Sequence, residues 1–222
     1  SFHQLKVDFL IFISQLSGTL IANSTSVVLG TTAGPAALGT YMVADKIIRA
    51  GASLTIPVSQ AVLPMSSNLF HSDTPRNAFR FLQKFSLVAG TAIGAGCLVI
   101  AGFAPFIVRI ISGTPDEEAI WCLRILSFYP LVVFLNNLLG PQILLQLNKD
   151  SAILKSSLIA CGIGLILHPV LIPSFQARGT ASIVLLAEAI ATPILFYFVL
   201  RNIDHLRRSG YMNLKKSEWP MH

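Results

Sequence analysis

Three charged residues lie close together inside a long apolar stretch of the sequence: Asp45, Lys46 and Arg49. Residues four positions apart share one face of a helix, so we expect Asp45 and Arg49 to pair. A charge at the centre of a bilayer costs on the order of 3 kcal/mol or more, so these side chains should face protein or water. If Asp45 neutralises one cation, the remaining positive charge suits an anionic group such as phosphate. The alternative is an internal salt bridge that only fixes helix packing.

Glu188 is another charged residue in an apolar segment, near the middle of the last one. A lone carboxylate in a membrane could carry a proton, coordinate Na⁺ or pair with a buried base. Lys46 and Arg49 are conceivable partners, and hydrogen-bonded packing is the alternative role. His168 precedes a proline in the preceding apolar segment, where a lone histidine is more often a structural residue than a proton relay.

Amide side chains form a third group of candidates. They could line a wet cavity that meets sugar hydroxyls, or they could equally bridge helices. The group consists of Gln60, Asn136, Asn137, Gln142 and Gln146.

Motifs of the common enzyme classes are absent from the sequence, including the P-loop, GxSxG, HExxH and the dinucleotide fingerprint. The three cysteines, Cys97, Cys122 and Cys161, each lie in an apolar run and show no metal-ligand spacing. We therefore predict that the protein is not an enzyme, that it has no catalytic residues, and that it needs no metal or cofactor.

The composition predicts an all-α membrane protein. Hydrophobic residues make up 53% of the 222 positions and charged residues 12%, whereas about 25% charged residues is usual in soluble domains. The net charge is +6, but most basic residues stand in short connections between apolar runs, which is the pattern of cytoplasmic loops. Nucleic acid is therefore not an expected partner.

Six apolar segments approach or exceed the roughly 20 residues that a crossing needs. The second is too long for a simple crossing, since it would reach roughly 54 Å as a straight helix, and Pro57 and Pro64 predict a bend in it. Pro130 and Pro141 predict distortions in the fourth. The predicted helices are 7–29, 35–70, 80–111, 119–147, 151–173 and 180–200, so that 1–201 form a six-helix bundle and 202–222 a basic tail.

The distribution of basic residues predicts the orientation. One set of connections contains most of them, and the opposite set contains three arginines beside three acids. The positive-inside rule places the first set in the cytoplasm, with both termini. The first set holds Lys6, Arg76, Arg80, Lys84, Lys149, Lys155, Arg201, Arg207, Arg208, Lys215 and Lys216, and the second Arg109, Arg124 and Arg178.

A patterned stretch runs from Leu38 to Phe70. It reads Leu-Gly-x-Tyr, then Ala-x-Lys-Ile, then Pro-x-x-Gln-Ala-x-x-Pro, and the residues are Leu38, Gly39, Tyr41, Ala44, Lys46, Ile47, Pro57, Gln60, Ala61 and Pro64. This pattern resembles a signature of the Wzx-type polysaccharide flippases. The stretches 136–149 and 172–188 also resemble that family, although Gln176 stands where Gly is usual and Thr180 interrupts a Gly-Ala-Ala step.

The resemblance implies a fold and a set of partners. Wzx-type proteins belong to the multidrug/oligosaccharidyl-lipid/polysaccharide exporter superfamily, whose MATE-like fold has twelve helices in two bundles. This chain resembles the second, C-terminal bundle, and its first residue is Ser rather than Met, so we expect an N-terminal six-helix half that is missing from this chain. The implied substrate is an undecaprenyl-pyrophosphate-linked oligosaccharide, flipped by alternating access in the bacterial inner membrane, with membrane lipids as the other partners.

The resemblance also implies roles for the candidate residues. Lys46 and Arg49 would attract the pyrophosphate or acidic sugars, Asp45 would tune them, and Glu188 would couple transport to an ion. Gln60, Asn136 and Asn137 would contact the substrate. Two other functions stay open: a drug or metabolite antiporter of the same superfamily, and a non-transporting membrane scaffold or truncated remnant.

Overall fold

A computed structural model of the protein describes residues 23–72, 75–147 and 149–208. Every regular element in these ranges is helical, which confirms the all-α prediction. The predicted segment 7–22 and the tail 209–222 lie outside the described residues. The elements are α1 (23–32), α2 (Gly34–Ser53), α3 (Thr55–Ser72), α4 (Pro75–Ser112), α5 (Glu117–Leu126), α6 (Tyr129–Leu139), a π-helix (Gly140–Leu144) and α7 (Asp150–Arg208).

Within the described ranges, three helical segments are long and apolar enough to cross a membrane: Phe79–Ser112, Glu117–Leu144 and Asp150–Asn202. Large apolar side chains point outward from them, such as Leu87 at 68% and Ile166 at 71% exposure. Water would penalise so much exposed apolar surface, and lipid would not. The chain is therefore a multi-pass membrane protein.

The larger hydrophobic core forms where α2, α5 and the second part of α7 meet. The buried residues of α2 recur every three or four positions, at Tyr41, Ala44, Ile48 and Ala52, which is the spacing of one helical face. Asp45 directly follows the buried Ala44, and Arg49 directly follows the buried Ile48. The core therefore holds both charged side chains at its edge.

Helix α7 folds back on itself. Its segment Asp150–Asn202, 53 residues long, would extend about 80 Å as one straight helix, yet Ala152 near its start and Val199 near its end share the smaller hydrophobic core. The only residue with non-helical backbone angles inside α7 is Gln176, at φ 45° and ψ −120°. The break predicted between residues 173 and 180 is therefore present, but its predicted extent is wrong, because the reversal needs a single residue.

The predicted end of the last helix is also wrong. Helix α7 runs to Arg208, beyond residue 200 where apolar composition ends. Hydropathy locates the edge of the hydrocarbon rather than the last hydrogen-bonded turn, and a helix can continue into the polar region. The first part of the predicted tail, 202–208, is consequently helical.

The prolines mark most of the distortions. The predicted helix 35–70 is divided at Leu54 into α2 and α3, so the interruption lies just before Pro57 rather than at it, because a proline fits the first turn of a helix. The expected distortions at Pro130 and Pro141 are confirmed: α6 begins one residue before Pro130, and Pro141 lies in the π-helix.

Replacing Gln176 with glycine is expected to stabilise the protein. The backbone angles of Gln176 belong to a region that only glycine enters without strain, and relieving such strain is worth roughly 1–3 kcal/mol. Thermal unfolding of the purified protein in detergent measures the effect. The matched control is Ser174→Gly, which should destabilise by about 1 kcal/mol because Ser174 is helical. Equal losses of stability in both variants would contradict the non-helical backbone angles at Gln176.

Candidate functional site

The ion pair expected on α2 is present. Arg49 Nε lies 2.7 Å from Asp45 Oδ2, and the hydroxyl of Tyr41 donates to Asp45 Oδ1 at 3.1 Å. Tyr41 is buried whereas the Arg49 side chain is 42% exposed. The carboxylate is thus held between a buried phenol and a cation that faces open space.

Arg49 also connects α2 with α6. Its guanidinium carbon lies 5.9 Å from the ring centroid of Tyr129, within the distance at which a cation is attracted to an aromatic face. Tyr129 is the first residue of α6, next to Pro130. The break between α5 and α6 therefore places this ring beside the ion pair.

Glu188 is held by α6. The Nδ2 of Asn136 donates to Glu188 Oε2 at 2.9 Å and to the Glu188 backbone oxygen at 3.1 Å. Thr192, one turn further along α7, donates to Asn136 Oδ1 at 2.8 Å. The amide oxygen and nitrogen of Asn136 are both used, so its orientation is fixed by two different partners.

A cavity of about 430 Å³ adjoins these residues, and Tyr129, Asn136, Asn137 and Glu188 all line it. Arg49 contacts the ring of Tyr129, and Tyr129 lines the same cavity as Glu188, which links the ion pair to this cavity. We call the connected residues the polar cluster: Tyr41, Asp45, Arg49, Tyr129, Asn136, Glu188 and Thr192.

The balance of charge in the polar cluster differs from the expectation. The polar cluster contains one cation, Arg49, and two acids, Asp45 and Glu188, when both are ionised. Lys46 is exposed on α2, and none of the described salt bridges includes it. Lys46 is a second cation on α2 and lies outside the polar cluster.

Gln60 and Gln142 do not join the polar cluster. Gln60 is exposed on α3. Gln142 is buried in the π-helix, and its Nε2 donates to the Ser59 backbone oxygen at 3.0 Å. Gln142 therefore bridges helices, which was the alternative interpretation for this group.

His168 has a structural environment. Its Nδ1 contacts the Gly164 carbonyl one turn earlier, and its Nε2 lies 2.7 Å from Thr25 Oγ1. A carbonyl can only accept, so Nδ1 carries a proton and, in a neutral ring, Nε2 accepts from the hydroxyl. The histidine consequently ties α7 to α1.

The two predicted groups of charged connections lie far apart. Arg178 Nη2 pairs with Glu118 Oε1 at 2.7 Å, whereas Lys149 and Arg201 line one cavity. The helix from Arg178 to Arg201 spans about 35 Å, so these contacts mark opposite ends of the bundle. Which end faces the cytoplasm stays a prediction.

Sequence reasoning missed Tyr129 and Thr192. Thr192 follows Glu188 by four residues, and this spacing places both on one helical face, so the pattern alone offered a signal. Tyr129 offered none, because its contact with Arg49 depends on how α6 packs against α2.

Comparisons with known proteins give three matches. A family model described as polysaccharide biosynthesis protein matches residues 2–70. A candidate O-antigen transporter of Escherichia coli (strain K12) is 29% identical over 199 residues, covering 89% of this chain and 48% of that protein. A crystal structure of a MATE protein in the bent conformation covers 98% of this chain and 48% of its own, with a TM-score of 0.67 and 16% identity.

The matches agree with one another. The structural likeness shows the MATE-like fold, and the sequence likeness confirms the resemblance drawn from the motif between Leu38 and Phe70. The chain spans about half the length of both the curated relative and the solved structure that it matches.

Proposed function

We propose that this chain forms one six-helix bundle of a Wzx-type polysaccharide flippase. The proposed activity is translocation of an undecaprenyl-pyrophosphate-linked oligosaccharide across the bacterial inner membrane. In this six-helix bundle, the two arms of α7 on either side of Gln176 would each cross the membrane once and so supply the fifth and sixth crossings. A second bundle would complete the transporter.

The observation that carries the proposal is the polar cluster at the edge of the core of an otherwise apolar bundle. Charges inside a membrane protein are costly unless they face a wet cavity or a partner. Arg49 is paired but exposed on its outer side, and Lys46 is exposed and unpaired among the described residues. Both cations are therefore placed to meet a pyrophosphate or an acidic sugar.

The cavity beside Glu188 supports contact with sugar hydroxyls. Asn137 and Ser157 line it together with Asn136 and Glu188, and amides, hydroxyls and carboxylates are the groups that hydrogen-bond hydroxyls. In this proposal the anionic end of the substrate meets α2 while the sugars face α6 and α7. Movement of this bundle against the second one would then expose the site alternately to each side.

The proposal predicts the phenotype of cells that lack the whole gene. Lipid-linked oligosaccharide should accumulate on the cytoplasmic leaflet while surface polysaccharide disappears, because synthesis continues without export. Leaflet-specific labelling of the glycolipid and quantification of surface polysaccharide measure both effects. The wild-type gene on a plasmid should restore export. Normal surface polysaccharide in the deletion strain would contradict the flippase proposal.

An ion-coupled antiporter is the second candidate. The observation that favours it is Glu188, a carboxylate inside the membrane region that is oriented by Asn136 and lines a cavity. Such an arrangement also suits exchange of a proton or Na⁺ for a small cationic solute. Drug or metabolite sensitivity of the same deletion strain, with normal surface polysaccharide, would favour this function.

A further inference from the structure

A basic cavity of about 490 Å³ lies at the end of the bundle opposite to Arg178. Because α7 folds back at Gln176, residues near both of its ends meet there. Lys149 and Ser151 come from the start of α7 and the connection before it, and Arg201 and Asn202 come from its last turns.

The cavity is suited to an anion. Among the side chains that the structure describes, no carboxylate lines it, and neither Lys149 nor Arg201 takes part in a salt bridge within the described ranges. Asp150 follows Lys149 in sequence but does not line the cavity. Asn202 uses one amide proton on the Phe198 carbonyl at 2.7 Å, so its second proton stays available. The guanidinium, ammonium, hydroxyl and amide groups of these residues can all donate hydrogen bonds to the oxygens of a phosphate group.

The cavity also borders surface that would face lipid. In the turn of α7 before Arg201, the side chain of Tyr197 is 59% exposed and that of Leu200 is 46% exposed. Residues three and four apart share a helical face, so Arg201 lies between the lipid-facing Tyr197 and the cavity-lining Phe198. Tyrosine and arginine at such a position are typical of the level where hydrocarbon meets the head groups.

We propose that this cavity binds the phosphate of an anionic membrane lipid, whose chains lie against the exposed face that contains Tyr197 and Leu200. Basic cavities between membrane helices recognise such head groups in general. Two sources have this chemistry, a phospholipid and a polyprenyl phosphate. The proposal goes beyond the flippase function and does not depend on it, since lipid binding requires no transport.

Lipid binding to the whole protein in detergent tests the proposal. Native mass spectrometry would compare phosphatidylglycerol, undecaprenyl phosphate and zwitterionic phosphatidylcholine. The variant Lys149→Gln/Arg201→Gln removes both cations of the cavity. The control Arg80→Gln/Lys84→Gln removes two exposed cations of α4 that do not line it.

The expected result is a preference for the anionic lipids that weakens about tenfold or more in the cavity variant, because each lost charge-assisted bond is strong. The control should keep the preference. Stronger binding of undecaprenyl phosphate than of phosphatidylglycerol would assign the site to polyprenyl phosphates. Equal binding of the two lipids would assign it to lipid phosphates generally. Equal weakening in both variants, or displacement of the lipid by equimolar inorganic phosphate, would overturn the proposal. If the double variant unfolds, Arg201→Lys and Lys149→Gln serve instead, each with a partial loss.

Discussion

Replacing Arg49 with glutamine is expected to reduce surface polysaccharide about tenfold or more, a change that corresponds to roughly 1.4 kcal/mol or more. Arg49 is the cation that faces outward from the polar cluster while it holds Asp45 and contacts Tyr129. Its removal takes away both the attraction for an anionic substrate and the link between α2 and α6. Complementation of the deletion strain, with quantification of surface polysaccharide, measures the effect.

Loss of stability must be separated from loss of binding in this experiment. Without Arg49, the half-buried carboxylate of Asp45 keeps only the Tyr41 hydroxyl, and an inadequately paired buried group costs about 1–3 kcal/mol. The double variant Asp45→Asn/Arg49→Gln removes both charges and should restore membrane insertion and expression. Export should stay low in this variant, because the cation is still missing.

Lys46 supplies an internal comparison for the same prediction. It is exposed and unpaired among the described residues, so Lys46→Gln should impair export without lowering expression. Lys155→Gln, which removes an exposed lysine outside the polar cluster, should change neither. Normal export in the Asp45→Asn/Arg49→Gln variant would contradict a substrate role for Arg49 and would leave the pair as a packing device.

The parts of this site that the sequence predicted lie within single helices. The pairing of Asp45 with Arg49 follows from a spacing of four residues, which has the same meaning in any helix. The distortions near Pro130 and Pro141 follow equally from local chemistry, since proline lacks the N–H that a regular helix needs. Such inferences need no knowledge of how the helices pack.

Contacts between helices could not be predicted in this way. Asn136 holds Glu188 from another helix, and no spacing in the sequence relates the two positions. Tyr129 meets Arg49 only because α6 starts afresh after the break that follows α5. Within an apolar bundle, many rotations of each helix bury similar hydrophobic area, so composition alone does not select the polar partners.

The reversal in α7 shows a different limit. Polar and small residues between 173 and 180 predicted a loop, whereas the backbone turns at Gln176 alone. Gly179 makes this possible, because any Cβ there would collide with the carbonyl of Leu171. The resemblance to the flippase family had already identified Gln176 as a position where glycine is usual, and its positive φ gives the physical reason for that preference.

Glu188→Gln is expected to separate substrate binding from ion coupling. Glutamine retains an oxygen that accepts from Asn136, so the bundle should fold normally, but it cannot ionise. If Glu188 couples transport to a proton or Na⁺, export driven by an imposed gradient should fall about tenfold or more in the variant. Transport of the labelled glycolipid in vesicles, with and without H⁺ and Na⁺ gradients, measures this.

Binding of the anionic substrate should survive the same change or become tighter. With both acids ionised, Arg49 is outnumbered by Asp45 and Glu188, and removal of one negative charge reduces the repulsion that an anion meets there. Neutralisation of Glu188 by an ion would act in the same direction during the transport cycle, which gives a physical route from ion binding to substrate binding. The control is Ser157→Ala, since Ser157 lines the same cavity without ionising. A Glu188→Gln variant with unchanged ion dependence would assign the carboxylate to helix packing alone.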